Sequence, residues 1–234
     1  MQFAIAPEVF ERLPNLRIAA AVTTGLDNQV ERSTVRAYWG EAWRSAAADS
    51  AQYGNAQSQP LVKPWRDAFQ RMGVSGKQFP SSVEALLRRA LKGGEPFTIN
   101  ALVDWYNAVS LRHYVPAGGF DLAELSAPLE LRLSRAGDTF MALDDAEALE
   151  VPPGEVSYAT GATILTRHIV WRQAKTALIT PQTRDVILVS EVLAELGADA
   201  SAAVADAFAR GLRDFFGVPS QTWVLDAAQP AIAW

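Results

Sequence analysis

One short segment concentrates side chains that are well suited to hold a ligand. It is Arg167-His168-Ile-Val-Trp171-Arg172-Gln173. If the segment is a β-strand, its side chains alternate between two faces, so Arg167 and Trp171 share one face and His168 and Arg172 share the other. An arginine beside an indole can stack on a ring and pair with a carboxylate or a phosphate. Arg167, Trp171 and Arg172 are therefore candidate binding residues, although a tryptophan on an apolar sheet face also suits a core position.

His168 has two interpretations, because a histidine can serve as a general base or as a hydrogen-bonded structural residue. Other familiar catalytic constellations are missing from the sequence. The chain has no cysteine, and its only histidines are His113 and His168. It has neither a glycine-rich phosphate loop nor a G-x-S-x-G motif. The acidic residues between Asp144 and Glu155 lack the spacing of a calcium loop. We therefore expect neither a metal nor a cofactor.

Length and charge narrow the class of protein further. A chain of 234 residues that is 49% hydrophobic predicts one globular domain, residues 1–234. Its 21 basic and 26 acidic residues give a net charge of −5, so it lacks the basic excess of proteins that grip DNA through phosphates. The first ten residues do not form a secretory signal, and no apolar stretch is long enough to span a membrane. We expect a cytoplasmic protein without a DNA or membrane partner.

The first half of the chain has helical patterns. A helix is predicted from Asn28, its expected cap, to about Ala48, with Val30 on the apolar face. Further predicted helices cover Pro64–Met72 and a segment after Ser81. The helix after Ser81 begins with a Ser81/Glu84 capping box and ends at Gly93-Gly94. A further helix, which is apolar nearly all round, is predicted over Ile99–His113.

Strand patterns dominate the second half. Leu129–Leu133 alternates strictly between apolar and polar residues, as a half-buried strand does. A helix is predicted again from Ala198 to Phe216. Because helices dominate first and strands second, we expect an α+β fold with a mixed or antiparallel sheet and a C-terminal helix. The remaining predicted strands are Leu16–Thr24, Thr139–Leu143, Glu155–Ala159, Thr163–Trp171 and Val186–Val192.

A longer string of residues resembles a known family. Its first part is Asn100-Ala-Leu-Val-Asp-Trp-Tyr-Asn107-Ala-Val-Ser-Leu111, and its second part is Pro116-Ala-Gly-Gly-Phe-Asp121. Together they resemble the segment N-x-x-V-D-x-x-N-x-V-x-L…P-x-x-x-F-D of the B3/4 domain in bacterial phenylalanyl-tRNA synthetase beta subunits. The likeness covers roughly Ser81–Val192, about half of the chain.

The resemblance implies an editing module. In the synthetase, the B3/4 domain hydrolyses the ester that links a wrong amino acid, chiefly tyrosine, to tRNA. No aminoacylation core fits in the remaining length, so the chain is similar to a freestanding domain that deacylates a mischarged aminoacyl-tRNA in trans. Asn107 matches the motif asparagine, and either a ligand-binding or a structural role is open to it. Backbone amides at Gly118 and Gly119 would help to position a water molecule.

Two positions depart from the family pattern. Gly118 stands where the synthetase motif has a histidine, and Val189 stands where a strand glutamate reads the tyrosine hydroxyl. Losing such a polar group weakens discrimination for that hydroxyl, so tyrosine is not the expected substrate. Glu191 lies two residues further along the same strand face and could supply a shifted carboxylate.

Two function hypotheses follow. The first is an aminoacyl-tRNA deacylase whose partner is the 3′ end of a charged tRNA. The second is a non-catalytic module that binds an amino-acid-like small molecule or an RNA end. Turnover of a bound ester distinguishes them. The candidate site residues in both cases are Asn107, Gly118, Gly119, Arg167, Trp171, Arg172 and Glu191.

Overall fold

Helices and strands alternate in blocks along the chain in the computed structural model, which describes residues 1–29 and 32–234. The described residues form six α-helices, which are α1 (Pro7–Arg12), α2 (Ser33–Ser50), α3 (Lys63–Arg71), α4 (Ser82–Ala90), α5 (Ala101–His113) and α6 (Ala200–Phe216). They also form twelve strands, which are β1 (Gln2–Ile5), β2 (Arg17–Thr23), β3 (Gly118–Asp121), β4 (Leu129–Leu133), β5 (Thr139–Phe140), β6 (Leu149–Glu150), β7 (Val156–Thr160), β8 (Thr163–Arg167), β9 (Arg172–Gln173), β10 (Val186–Val192), β11 (Gln221–Leu225) and β12 (Ala231–Ala233).

The strands build two sheets. The large sheet has the order β12-β1-β4-β7-β8-β5-β6, with β9 paired to β8. It is mixed, because β1–β4 and β5–β8 are parallel pairs and the other pairs are antiparallel. The small sheet has the order β11-β2-β10-β3 and is antiparallel throughout. A first half rich in helices, a mixed large sheet and the C-terminal helix α6 confirm the predicted α+β fold.

Strand β10 shows how the layers are stacked. Its residues Val186, Leu188 and Val192 pack in one apolar cluster with side chains of α5 and α6. The alternate residues Ile187 and Val189 pack in a second cluster that contains residues of the large sheet. The small sheet is therefore the middle layer, with helices on one face and the large sheet on the other. Any space between the two sheets is lined by the odd-numbered residues of β10.

The predicted strand Thr163–Trp171 is wrong beyond Arg167. Strand β8 ends there because His168 (φ 47°) and Ile169 (φ 56°) adopt the left-handed conformation. The chain then reverses, and β9 pairs back on β8 with Arg167 opposite Arg172. Arg167 and Trp171 consequently do not share a strand face. We call residues 168–171 the turn between β8 and β9.

The predicted start of the first long helix is also wrong. Helix α2 begins at Ser33, and Asn28 does not cap it. The Asn28 side chain instead reaches α5, where its Oδ1 accepts from the Leu102 amide at 2.9 Å and its Nδ2 donates to Asn100 Oδ1 at 3.0 Å. Val30, which was expected on the apolar face, lies outside the described residues.

The side chains of Asn100 and Ser81 cap two of the helices, and the cap at Ser81 was predicted. Asn100 caps α5 by accepting from the Val103 amide at 3.0 Å. Ser81 caps α4 by accepting from the Glu84 amide at 3.4 Å. The Glu84 carboxylate does not complete the capping box, because it pairs with Arg66 and Arg88 at 2.5 Å each. Two strands that were not predicted, β11 and β12, follow α6.

Candidate functional site

A cavity of about 80 Å³ lies between the two sheets. We call it the intersheet cavity. Its walls come from β3 and β10 of the small sheet, from β7, β8 and β9 of the large sheet, and from the turn between β8 and β9. Five of the predicted site residues line it, and they are Gly118, Gly119, Trp171, Arg172 and Glu191. The structure therefore brings together residues that are up to 73 positions apart in the chain.

The two glycines of β3 have different roles in the packing. Gly118 pairs with Val189, so a side chain at either position points to the large sheet. A Cβ atom at Gly118 would have no heavy atom within 4 Å, and the position therefore leaves open space. A Cβ atom at Gly119 would lie 2.8 Å from Leu188 Cδ2 and 3.1 Å from the Ile187 carbonyl oxygen. Gly119 is thus closely packed, whereas Gly118 leaves space that adds to the cavity.

A buried carboxylate faces this space. Glu191 is only 4% exposed, and its Oε1 accepts a hydrogen bond of 2.5 Å from the hydroxyl of Tyr158 on β7. No ion pair of Glu191 is formed within residues 1–29 and 32–234. Burial raises the pKa of Glu191 to about 7, and the Tyr158 hydrogen bond opposes part of that rise. The group can therefore gain or lose a proton near neutral pH.

The outer part of the cavity is polar and half-buried. Gln173 Nε2 donates to the Gly119 carbonyl oxygen at 3.0 Å, which ties β9 across to β3. Arg172 pairs with the exposed Asp144. Trp171 packs edge-on against Phe79, with ring centroids 4.6 Å apart. An arginine and an indole thus lie beside the cavity as consecutive residues rather than across a strand face.

Two predicted site residues lie elsewhere. Asn107 is a buried residue of α5 and does not line the intersheet cavity. Arg167 lines a different cavity and holds the Glu155 carboxylate through contacts of 2.6 to 3.0 Å. His168 lies next to Arg167 with its Nε2 3.5 Å from Glu155 Oε2, and its buried ring nitrogens make no hydrogen bond with any of the described residues. It is therefore neither a residue of the intersheet cavity nor a histidine held by ring hydrogen bonds.

Sequence reasoning missed Tyr158 and Gln173. Alternation along the predicted strand Glu155–Ala159 places Val156 and Tyr158 on one face, which was the available signal for Tyr158. Gln173 gave no comparable signal, because its position depends on the turn between β8 and β9. Within the described ranges, no group of three or more His, Cys, Asp or Glu side chains is arranged to hold a metal ion. Nor does the described part of the chain contain a helix that is long and apolar enough to cross a membrane.

Known proteins provide one family match and one similar solved structure for this chain. No curated protein matches the chain. Among solved structures, it is similar to the crystal structure of an N-terminal fragment of the phenylalanyl-tRNA synthetase beta-subunit from Pyrococcus horikoshii, with 9% identity and a TM-score of 0.46. That alignment covers 93% of this chain and 49% of the other, so this chain spans about half the length of that fragment. The family model of the B3/4 domain matches residues 64–212. Because this match covers more than half of the sequence, the chain belongs to the B3/4 domain family.

Proposed function

We propose that the intersheet cavity receives the amino-acid end of a mischarged aminoacyl-tRNA and that the protein hydrolyses its ester in trans. The observation that carries this proposal is the Glu191 carboxylate, which is buried without a cation and faces the space beside Gly118. Burying a carboxylate without a charge partner costs free energy, and sites that retain such a group commonly use it for binding or proton transfer. Membership of the B3/4 domain family and the resemblance to the synthetase editing domain support the choice of substrate.

The chemistry assigned to Glu191 is that of a general base. A general base works best when its pKa lies close to the working pH, and Glu191 meets that condition with a pKa of about 7. Glu191 accepts a proton from a water molecule as the water attacks the ester carbonyl carbon. The bond from that carbon to the ribose oxygen then breaks, and the ribose oxygen takes the proton. The products are the free amino acid and the uncharged tRNA.

The size of the intersheet cavity limits the amino acid. At about 80 Å³ it is smaller than the ~150 Å³ cavity that accepts benzene in an engineered protein. An aromatic side chain therefore does not fit without movement of the walls. We infer a small amino acid, such as glycine, alanine or serine. Trp171 and Arg172 lie where a terminal adenine could stack and a phosphate could pair.

Incubation with charged tRNAs tests the proposal. The tRNAs are charged with glycine, alanine, serine, phenylalanine or tyrosine, and each amino acid is attached both to its cognate tRNA and to a near-cognate tRNA. We expect loss of the ester above the spontaneous rate for the small amino acids only. Gly118→Leu places a side chain in the open space of the cavity and should abolish that activity. Fast hydrolysis of the phenylalanine or tyrosine esters would contradict the size argument.

The second candidate function is a binding module without turnover. It is favoured by the lack of a histidine in the cavity and by the position of Asn107 outside it. In that case the Glu191 carboxylate would hold the ammonium group of an amino-acid-like ligand. Saturable binding of a free small amino acid, with no hydrolysis of any ester in the panel, would support this candidate.

The assignment of Asn107 as a substrate-binding or catalytic residue remains a prediction. Its place in α5 allows an indirect role, because α5 packs on β3, which carries Gly118 and Gly119. A lower deacylation rate for Asn107→Ala in a folded protein would support the assignment. An unchanged rate for every ester in the panel would remove it.

A further inference from the structure

A second cavity lies under the turn between β8 and β9 and shares none of its lining residues with the intersheet cavity. Its volume is about 330 Å³, which falls within the range of small-molecule sites. Most of its walls are apolar and come from the loop after α3, from the segment before β7 and from β7 itself. The apolar wall residues include Met72, Val74, Phe79, Pro152 and Val156.

The charges at the second cavity leave a single positive group without compensation. Glu155 and Arg167 neutralise each other through an ion pair of 2.6 Å, and Glu155 also accepts from the His168 amide at 2.8 Å. Arg12, at the end of α1, lines the cavity, is exposed and forms no ion pair with any of the described residues. A ligand with one negative charge therefore matches this cavity.

Two aromatic rings line the same cavity as Arg12. The ring of Phe79 is 4.2 Å from that of His168, centroid to centroid, with an angle of 42° between the planes. His168, which has a left-handed backbone conformation, presents its imidazole beside Phe79 in the wall of this cavity. Burial lowers the pKa of His168, so the imidazole adds no second positive charge at neutral pH.

We propose that the second cavity binds a small aromatic carboxylate, with its ring against Phe79 and His168 and its carboxylate on Arg12. The apolar walls exclude water from the ring, and the arginine at the rim pairs with the carboxylate in a charge-assisted contact. This inference does not depend on the proposed deacylation, because no residue of the intersheet cavity takes part in it.

Nuclear magnetic resonance of the histidine rings tests this site directly, with 3-phenylpropionate as the probe. The chain has only two histidines, so a histidine-labelled protein gives one ring signal from His168 and one from His113 as an internal control. We expect a saturable shift of the His168 signal and none of the His113 signal. The neutral amide of the same acid should bind about tenfold more weakly, since it lacks the charge that Arg12 recognises.

Two arginine variants separate the site from general charge effects. Arg12→Ala should weaken binding of 3-phenylpropionate about tenfold, whereas Arg213→Ala, an exposed position on α6, should leave it unchanged. An unmoved His168 signal at millimolar probe would overturn the proposal. Equal binding of the acid and its amide, or equal losses in the two variants, would overturn the role of Arg12.

Discussion

Glu191 is a buried carboxylate that forms no ion pair with any of the described residues. Its ordinary pKa of 4.5 becomes about 7 in the folded protein because burial disfavours the charged form. At pH below 4.5 the carboxyl is protonated in both the folded and the unfolded state, so it has no effect on stability through ionisation. Above pH 7 it is charged in both states, and the folded state carries the full desolvation penalty of about 3 kcal/mol.

The variant Glu191→Gln keeps an oxygen that can accept from Tyr158 but has no charge to bury. The wild-type protein should lose stability relative to this variant as the pH rises from 4.5 to 7, by up to about 3 kcal/mol. Urea unfolding of both proteins at pH 4.5, 6 and 8 measures the difference. Glu124→Gln is the control at an exposed glutamate, and it should follow the wild type at each pH. A constant difference between Glu191→Gln and wild type would show that the pKa of Glu191 is not raised.

The neighbouring glycines of β3 give a second test at the residue scale. Gly118→Ala should be neutral or stabilise the fold by up to about 1 kcal/mol, because its Cβ meets no heavy atom within 4 Å and alanine restricts the unfolded chain. Gly119→Ala should cost about 1–3 kcal/mol, because its Cβ would lie 2.8 Å from Leu188 Cδ2. Thermal and urea unfolding compare the two variants. Equal costs would mean that the two glycines do not face opposite sides of the small sheet.

At the same scale, the site was only partly predictable from the sequence. Gly118, Gly119 and Glu191 could be located because strand alternation and the family motif place them on identified faces. The relative position of the Arg167 and Trp171 side chains could not be predicted, because the turn between β8 and β9 has left-handed backbone conformations at His168 and Ile169. Turns of that kind usually contain glycine or asparagine, so an isoleucine there carries no local signal.

At the scale of elements, helix α5 depends on a residue far away in sequence. Asn28 accepts from the Leu102 amide at 2.9 Å and donates to the Thr180 carbonyl oxygen at 2.8 Å. Asn28→Ala would leave the buried Leu102 amide without a partner, at a cost of about 1–3 kcal/mol. The Thr180 carbonyl oxygen would still accept from the Thr183 amide. Gln29→Ala is an exposed neighbouring control that should change stability by less than about 0.5 kcal/mol. Similar effects of both variants on urea unfolding would contradict this role of Asn28.

Most regular elements were predictable because their periodicity and end signals agree. The strand Leu129–Leu133 and the helix cap at Ser81 are confirmed as predicted. Asn28 was assigned to the wrong helix because a cap residue satisfies any nearby free amide, and sequence spacing indicates only the local one. Strands β1 and β12 were missed, since each is short and pairs with a segment at the opposite end of the chain.

At the scale of the whole molecule, the layered arrangement explains why a cavity exists at all. The helices cover one face of the small sheet, and the large sheet covers the other. The rings of Phe120 and Tyr158 pack together across the two sheets, with centroids 5.3 Å apart, while Gly118 leaves a gap beside them. Composition could not predict this layering, because it depends on which faces of two separate sheets meet.

The measurement that tests the central claim most directly is the deacylation rate of wild type and Glu191→Gln on tRNAs charged with small amino acids at pH 7.5. If Glu191 is the general base, the variant should lose at least about 100-fold in rate while its affinity for the charged tRNA changes little. Glu124→Gln should retain the full rate. Ester hydrolysis by Glu191→Gln at the wild-type rate would contradict the account.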